Sequence, residues 1–252
     1  MKSTVKVSKS GHKACINCID GTTISRNLIA TGSDDKSIRI WDIRANKAIK
    51  CITQCFESSV EAVKFSVSDD NTIYAASDRI LFSFDLRTNG IIVKSPIMMT
   101  DNAATDEINC IDVKPDGDFL AVADDAGIIT IINTRQLTAN QPKRLYGHTS
   151  LVNTVAFSPI NTYGLMSGGF DYLLNSWDLN TSTSISNPAA AANLSKLGNQ
   201  NNDSVSTRSI NPPFIQGISY MCNGRTVAVA LGDGSVSKFE LPFREKFFQL
   251  KV

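Results

Sequence analysis

Histidine is nearly absent from this chain of 252 residues: only His12 and His148 occur, and each directly follows a glycine. Acid–base and nucleophilic catalysis need a base held against a partner group, and two histidines in matching Gly-His pairs leave none over for a triad. No G-x-x-x-x-G-K-S/T, H-E-x-x-H or G-x-G-x-x-G run occurs, so a phosphate cradle and a zinc hydrolase lack their usual residues. Neither an enzyme nor a cofactor is expected. Charge of one sign is also missing. With 25 Lys and Arg against 24 Asp and Glu, the net charge is +1, which supplies no bulk attraction for nucleic acid or anionic lipid. The basic stretch Met1 to Lys13 is followed by no apolar run, and nowhere do 18 consecutive apolar residues occur; neither secretion nor membrane insertion is expected.

Cysteine is sparse too. Cys15, Cys18, Cys51, Cys55, Cys110 and Cys222 lie mostly among apolar, strand-like neighbours, the pattern of reduced core thiols. The expected compartment is a reducing one, the cytoplasm, the nucleus or both. Cys15 and Cys18 have C-x-x-C spacing, but no second Cys or His pair stands at finger distance. On a strand, residues three apart face opposite ways, so no metal site is expected.

What the chain does contain is repetition. An apolar run, a turn with Asp or Gly, an alternating strand and then an aromatic or aliphatic residue followed by an acid or amide recur five times. Leu28 to Asp42 and Leu165 to Asp178 are the clearest copies. The residues before the acid or amide are Trp41, Phe84, Ile132, Trp177 and Phe239, giving intervals of 43, 48, 45 and 62. Three of these lie near the ~40–45 residues of a propeller blade. Alternation such as Ile38 and Ile40 against Ser37 and Arg39 has the strand period of two, and no amphipathic helix of ten residues is seen. The long interval contains 180–210, a polar, low-complexity stretch expected to be a flexible loop. Its N-x-S/T sequons at Asn180, Asn193 and Asn202 are expected to stay unused.

These residues resemble the WD40-repeat family, through Gly11-His12 with Trp41-Asp42 and Gly147-His148 with Trp177-Asp178. The resemblance implies an all-β propeller over 1–252, with blades ending near 42, 85, 133, 178 and 240. It also implies a structural tetrad in two blades, His12, Thr31, Asp35 and Trp41, then His148, Ser167, Asp171 and Trp177. A buried indole and imidazole each need a polar partner, which the hydroxyl and carboxylate can supply. The second blade keeps Asp78 but has Tyr74 and Phe84, and the fifth keeps Asp233 but has Val229 and Phe239; these are expected to depend on apolar packing.

A narrower resemblance is to the WD-repeat substrate receptors of cullin-RING ligases of the cullin 4 type, which dock on the damage-specific DNA-binding protein 1 adaptor. It rests on 107–110, 123–127, 155–159, 211–212 and 217–219, and on blade ends of the form W-D-x-R. Trp41-Asp42-Ile43-Arg44 fits fully, Phe84-Asp85-Leu86-Arg87 keeps the acid and Arg, and Ile132-Asn133-Thr134-Arg135 keeps only the Arg. The resemblance implies adaptor binding through Asp42, Arg44, Asp85 and Arg87, with an unknown substrate protein recruited elsewhere. Against it stand two alternatives, a general WD-repeat scaffold or peptide reader unconnected to ubiquitin, and arginines that merely pair with Asp42 and Asp85 at the surface. Five blades are countable where the family usually closes its ring with seven, so an incomplete ring with open edges is expected, the alternative being a small five-bladed ring closed by strands from the two ends.

Overall fold

The computed structural model describes residues 11–25, 27–88, 90–101, 103–135, 142–180 and 214–240, and the backbone alone of 183–186 and 246–251. It is all-β, with no helix among the described residues, and its contacts divide the chain into two compact units, 1–102 and 103–252.

The first unit runs β1 (Ile16–Gly21), β2 (Leu28–Ser33), β3 (Ser37–Asp42), β4 (Lys47–Thr53), β5 (Ala62–Phe65), β6 (Thr72–Ser77), β7 (Ile80–Asp85), β8 (Ile92–Val93) and β9 (Met98–Thr100). Blade 1 is β1-β2-β3-β4 with β8 added parallel to β4, and blade 2 is β5-β6-β7-β9. The second unit continues with β10 (Ile108–Val113), β11 (Phe119–Asp124), β12 (Ile128–Asn133) and β13 (Lys143–Tyr146), which form blade 3. Blade 4 is β14 (Val152–Phe157), β15 (Gly164–Gly169), β16 (Leu174–Asp178) and β17 (Thr183–Ser186). Blade 5 is β18 (Ile215–Tyr220), β19 (Thr226–Leu231), β20 (Ser235–Glu240) and β21 (Lys246–Lys251). These are WD40-repeat propeller blades. The third strand of each ends at Asp42, Asp85, Asn133, Asp178 or Glu240. Of the expected loop over 180–210, Thr183–Ser186 instead forms the outer strand of blade 4 and pairs with β16; 187–210 lie outside the described residues, as do Asn193 and Asn202.

Hairpin chemistry sets the turns. Ser33 pairs with Ser37, leaving a three-residue turn that closes on Lys36 at φ 60. The matching positions are Gly127 at φ 81, Tyr172 at φ 65 and Gly234 at φ 83. Blade 2 departs from this. Ser77 pairs with Ile80, so its turn is one residue shorter, and Asp78 itself takes the left-handed conformation at φ 55. Its carboxylate is exposed beside Arg79, with 4.0 Å to Nε. The expectation that Asp78 stands in the tetrad position is therefore corrected by turn length. Phe56, Phe82 and Phe84 fill the blade instead, with Phe56 edge-on to the others at 5.0 and 5.7 Å between centroids.

Each first strand with a regular start carries a bulge, between Ile16 and Cys18, Ile108 and Cys110, Val152 and Thr154, and Ile215 and Gly217. The extra residue is Asn17, Asn109, Asn153 or Gln216, and the bulge turns its amide out of the ladder. Asn109 Nδ2 donates to Asp125 Oδ1 at 2.7 Å and to Val152 O at 3.2 Å, joining its own turn to the next blade. Asn17 does the same with Asp34 Oδ1 at 2.7 Å and Val60 O at 3.5 Å. Further along these strands, Asp20 accepts from the Phe65 N–H at 2.8 Å and Asp112 from the Phe157 N–H at 2.7 Å.

Between neighbouring blades of a unit the core follows one rule. The first and fourth residues of the incoming first strand are apolar knobs, Val152 and Val155 or Ile215 and Ile218; in blade 2, where β5 starts later, Val60 just before the strand and Val63 within it take this part. They pack on small or branched residues of the preceding blade, among them Ala30, Ile38 and Ile40 for blade 2, and Ala121, Ala123 and Ile129 for blade 4. Met166 and Leu174 serve blade 5. Glycine occurs where the approach is closest: a Cβ on Gly168 would stand 2.3 Å from the Ile215 side chain. The cysteines are free, but they are not uniformly core residues as expected. Cys15 and Cys222 are exposed and the other four half-buried, because Cys15 lies just before β1 and Cys222 in the turn between β18 and β19, outside the strands.

Candidate functional site

The two Gly-His segments fold back over the turn between the second and third strands of their own blades. In blade 4, Trp177 Nε1 donates to Ser167 Oγ at 2.7 Å, His148 Nε2 lies 2.7 Å from the same oxygen, and His148 Nδ1 lies 2.9 Å from Asp171 Oδ2. The hydroxyl accepts from the indole and gives its own hydrogen to Nε2. That network assigns the imidazole proton to Nδ1, facing the carboxylate. Trp177 also rests on Gly147, where a Cβ would come within 2.8 Å of the ring, which explains why glycine precedes this histidine. Burial pushes the Asp171 carboxyl up, but the hydrogen bond from His148 and the N–H groups of Thr149 and Leu173 outweigh it, holding the group below the usual carboxylate range.

Blade 1 repeats the geometry. Trp41 Nε1 donates to Thr31 Oγ1 at 2.8 Å, His12 Nε2 is 2.8 Å from that oxygen, and His12 Nδ1 is 3.0 Å from Asp35 Oδ2. Here Ser37 Oγ adds a bond to Asp35 Oδ1 at 2.5 Å. Burial again raises the Asp35 carboxyl, while Ser37, the Lys13 N–H and His12 together bring it down to about 2. Both histidines are thus held within structural networks. Blade 5 keeps a remnant, Asp233 Oδ1 accepting from Ser235 Oγ at 2.6 Å. In blade 3, Asp124 accepts from Thr105 Oγ1 at 2.7 Å and from the Ile128 N–H at 2.8 Å.

The D-x-R ends lie on the turns after β3 and β7, at the same end of the two blades. Asp42 Oδ1 accepts from the N–H of Arg44 at 2.8 Å and of Ala45 at 3.1 Å. Asp85 Oδ1 accepts from the Arg87 N–H at 2.8 Å. Asn133 and Asp178 do the same for Arg135 and Asn180, each at 2.9 Å. The acid or amide closing each of the first four repeats is therefore a turn cap, a role not apparent from the motif. The arginines differ. Arg87 clasps its own Asp85, with Nη2 to Oδ2 at 2.6 Å, yet its side chain is 71% exposed; this guanidinium holds the Asp85 carboxyl below its usual range. Arg44 is exposed and makes no ion pair among the described residues. Arg135 is bound to Asp118 at 2.7 Å. Sequence reasoning missed Lys50, whose Nζ donates to Thr88 O at 2.7 Å and Gly90 O at 2.9 Å. It ties the chain just past Arg87 to the outer strand of blade 1. Among the described residues no cluster of three metal-ligating side chains occurs.

All-β four-stranded blades, Gly-His segments and hydroxyl-bridged Trp–His–Asp networks define a class: the chain belongs to the WD40-repeat family. The WD domain, G-beta repeat model matches residues 3–42, 96–133 and 139–178, passing over the second and fifth blades. Among particular proteins, the chain is 30% identical over 250 residues to the WD repeat-containing protein 53 homolog of Dictyostelium discoideum, covering 95% of this chain and 66% of that one. It is 26% identical to WD repeat-containing protein AAC3 of the same organism, over 71% of this chain and 36% of the relative. It is 27% identical to the mitotic checkpoint protein bub-3 of Caenorhabditis elegans, over 66% and 50%. The chain thus spans about two thirds or less of the length of these relatives.

Proposed function

We propose that the chain is a docking scaffold of a cullin 4 type ubiquitin ligase, gripping the damage-specific DNA-binding protein 1 adaptor through Arg44 and Arg87. The observation that carries this reading is the pair of consecutive D-x-R turns at one end of blades 1 and 2, both arginines exposed and the second turn clamped by Lys50. Planar donor forks fixed this way suit carboxylates or carbonyls of a partner. The Arg87–Asp85 pair is no obstacle, since an exposed ion pair contributes about 0–1 kcal/mol. Bound there, the chain would raise the concentration of a second protein at the ligase, in the cytoplasm or nucleus. It would do so without chemistry of its own, its histidines being committed to the braces.

Replacing Arg44 and Arg87 together by Ala is expected to abolish capture of the purified adaptor and leave the thermal midpoint unchanged. Wild-type retention of the adaptor by the folded double variant would overturn the reading. A peptide reader is favoured by one different feature. Tyr172, exposed and at φ 65 where blades 3 and 5 use glycine, lies two residues from Phe170, which stacks near Phe214 at 4.2 Å. Peptide binding lost in Tyr172→Gly, with adaptor capture absent in the wild type, would favour it.

A further inference from the structure

Within the first unit the chain leaves blade 2 after Asp85, crosses to blade 1 and comes back, forming a strap over 86–100. Lys50 Nζ holds its start by donating to Thr88 O and Gly90 O. There β8 adds in parallel to β4, with the Cys51 N–H donating to Ile91 O at 2.7 Å, and Val93 enters the core at 6% exposure. The return begins where the Ile97 N–H donates to Ser83 O at 2.7 Å, and β9 follows as the outer strand of blade 2. The strap leaves large apolar side chains in water: Ile91, Ile97 and Met99 are 70%, 57% and 48% exposed. A cluster of this kind marks an interaction site more often than isolated apolar residues do. The surroundings are of one charge. Residues 43–56 and 86–100 contain Arg44, Lys47, Lys50, Arg87 and Lys94 and no Asp or Glu, although the whole chain carries only +1. Of the acids next to these stretches, Asp42 and Asp85 are taken up by their turn caps, Asp85 also by Arg87, and Glu57 and Asp101 lie beyond the far ends. Lys47 and Lys94 are exposed.

We infer that the strap is a docking site for an extended, acidic segment of a partner protein, laid along β9 with its apolar side chains on Ile91, Ile97 and Met99 and its carboxylates toward Lys94 and the lysines of β4. Charge selects the acid, because a rim of cations without carboxylates favours a partner of opposite sign. The sheet edge selects the strand. Among the described residues no strand pairs with the outer side of β9, and a second chain can complete its N–H and C=O groups. The unit already uses that chemistry, since β8 is itself a short apolar segment added to an outer strand and buries Val93 by doing so. An anionic lipid surface would match the charge and the isoleucines, but hydrocarbon gives the backbone groups no partner, so a polypeptide fits better. The site lies on outer strands, whereas the adaptor reading rests on the turns of Arg44 and Arg87, so either can fail without the other.

The probe is a short labelled synthetic peptide alternating glutamate with valine, titrated with the full chain and followed by fluorescence anisotropy. Wild type is expected to bind it, more weakly as salt rises, and to ignore a lysine–valine counterpart. Ile97→Asp places a carboxylate within the apolar row and is expected to weaken binding at least about tenfold. Lys94→Glu is expected to do the same and also to bind the lysine–valine peptide, a gain that loss of folding cannot mimic. Both residues are exposed, and Ile97→Thr, with circular dichroism to verify folding, takes the place of Ile97→Asp if the charge disturbs the strap. The Arg44 and Arg87 double variant is expected to keep the peptide whatever becomes of the adaptor. A wild type that does not bind the glutamate–valine peptide overturns the inference. So does binding that survives both Ile97→Asp and Lys94→Glu, or that is lost only with the two arginines. Sedimentation with phosphatidylserine vesicles that Ile97→Asp abolishes, in the absence of peptide binding, would overturn it in favour of a lipid surface.

Discussion

His12, Thr31, Asp35 and Trp41 in blade 1 make the same contacts, at nearly the same distances, as His148, Ser167, Asp171 and Trp177 in blade 4, but the two networks sit in different surroundings. Trp177 is 3% exposed and packs in a cluster with Ala121, Ala123 and Ile129 of blade 3. Trp41 is only half-buried, in the blade whose Ile16 and Ile19 face solvent. A hydrogen bond gains most from folding where its loss would strand a desolvated group, so equal geometry implies unequal stabilisation. The blade 1 network has an additional donor. Ser37 supplies a hydroxyl to Asp35, where the matching residue of blade 4, Leu173, offers Asp171 only its N–H at 3.1 Å.

The strongest way to break this comparison is to remove the indoles. Trp177→Ala is expected to cost about 3–5 kcal/mol, since it opens a cavity and strips a partner from Ser167. Trp41→Ala is expected to cost about half as much, because water can replace the lost bond on its exposed side. Equal losses by denaturant titration would show that the surroundings do not matter. Asp171→Ala and Asp35→Ala come next, at about 1–3 kcal/mol, with the larger loss at the buried site. Here pH sharpens the contrast. The Asp35 carboxyl titrates at about 2 when folded and about 3.9 when unfolded, so the unfolded chain binds more protons between these values. The stabilisation is therefore present above about 4 and is lost as pH falls toward about 2. Stability measured through that window should fall less steeply in Asp35→Ala than in wild type. A similar step is expected below the ordinary carboxylate range for Asp171.

The interior pins are expected to matter less than the networks. Asp112→Ala removes the acceptor of the Phe157 N–H, and about 1 kcal/mol should be lost in a thermal or denaturant titration. No loss would mean that the packing of Val152 and Val155 suffices to join blades 3 and 4.

The networks were legible in the sequence because their residues are chemically distinctive and their spacing repeats, with Asp six residues before Trp in both copies. Strand ends were legible because the aromatic-acid pair recurs. What could not be seen depends on pairing. Asn17, Asn109 and Asn153 look like ordinary strand residues until the register slip turns their amides toward the next blade. Asp20 and Asp112 acquire their role from a backbone N–H about 45 residues away, and nothing local announces it. Asp78 misled because a turn shortened by one residue keeps its distance from Phe84 in sequence and changes its place in space. In Asp42-Ile43-Arg44 the sequence drew attention to the arginine, whereas the acid has the local function of capping the turn.

The finest test of the comparison is Ser37. If the blade 1 network depends on this hydroxyl for its charge, Ser37→Ala should release the strongest local hold on the Asp35 carboxyl, because the 2.5 Å bond stabilises the ionised form. The effect on stability is expected to be small, about 0.5–1.5 kcal/mol, since the Lys13 N–H and His12 remain within 2.8 and 3.0 Å of Oδ2. The titration is the sensitive readout. Followed by the side-chain carboxyl carbon in NMR, the Asp35 transition should move up from about 2 toward the ordinary value, and the acid limb of the stability curve should move with it. Asp171, which has no such hydroxyl, should titrate unchanged in the same sample. An Asp35 transition that stays in place would mean that His12 and the Lys13 N–H alone hold the carboxylate, and that the two networks are equivalent after all.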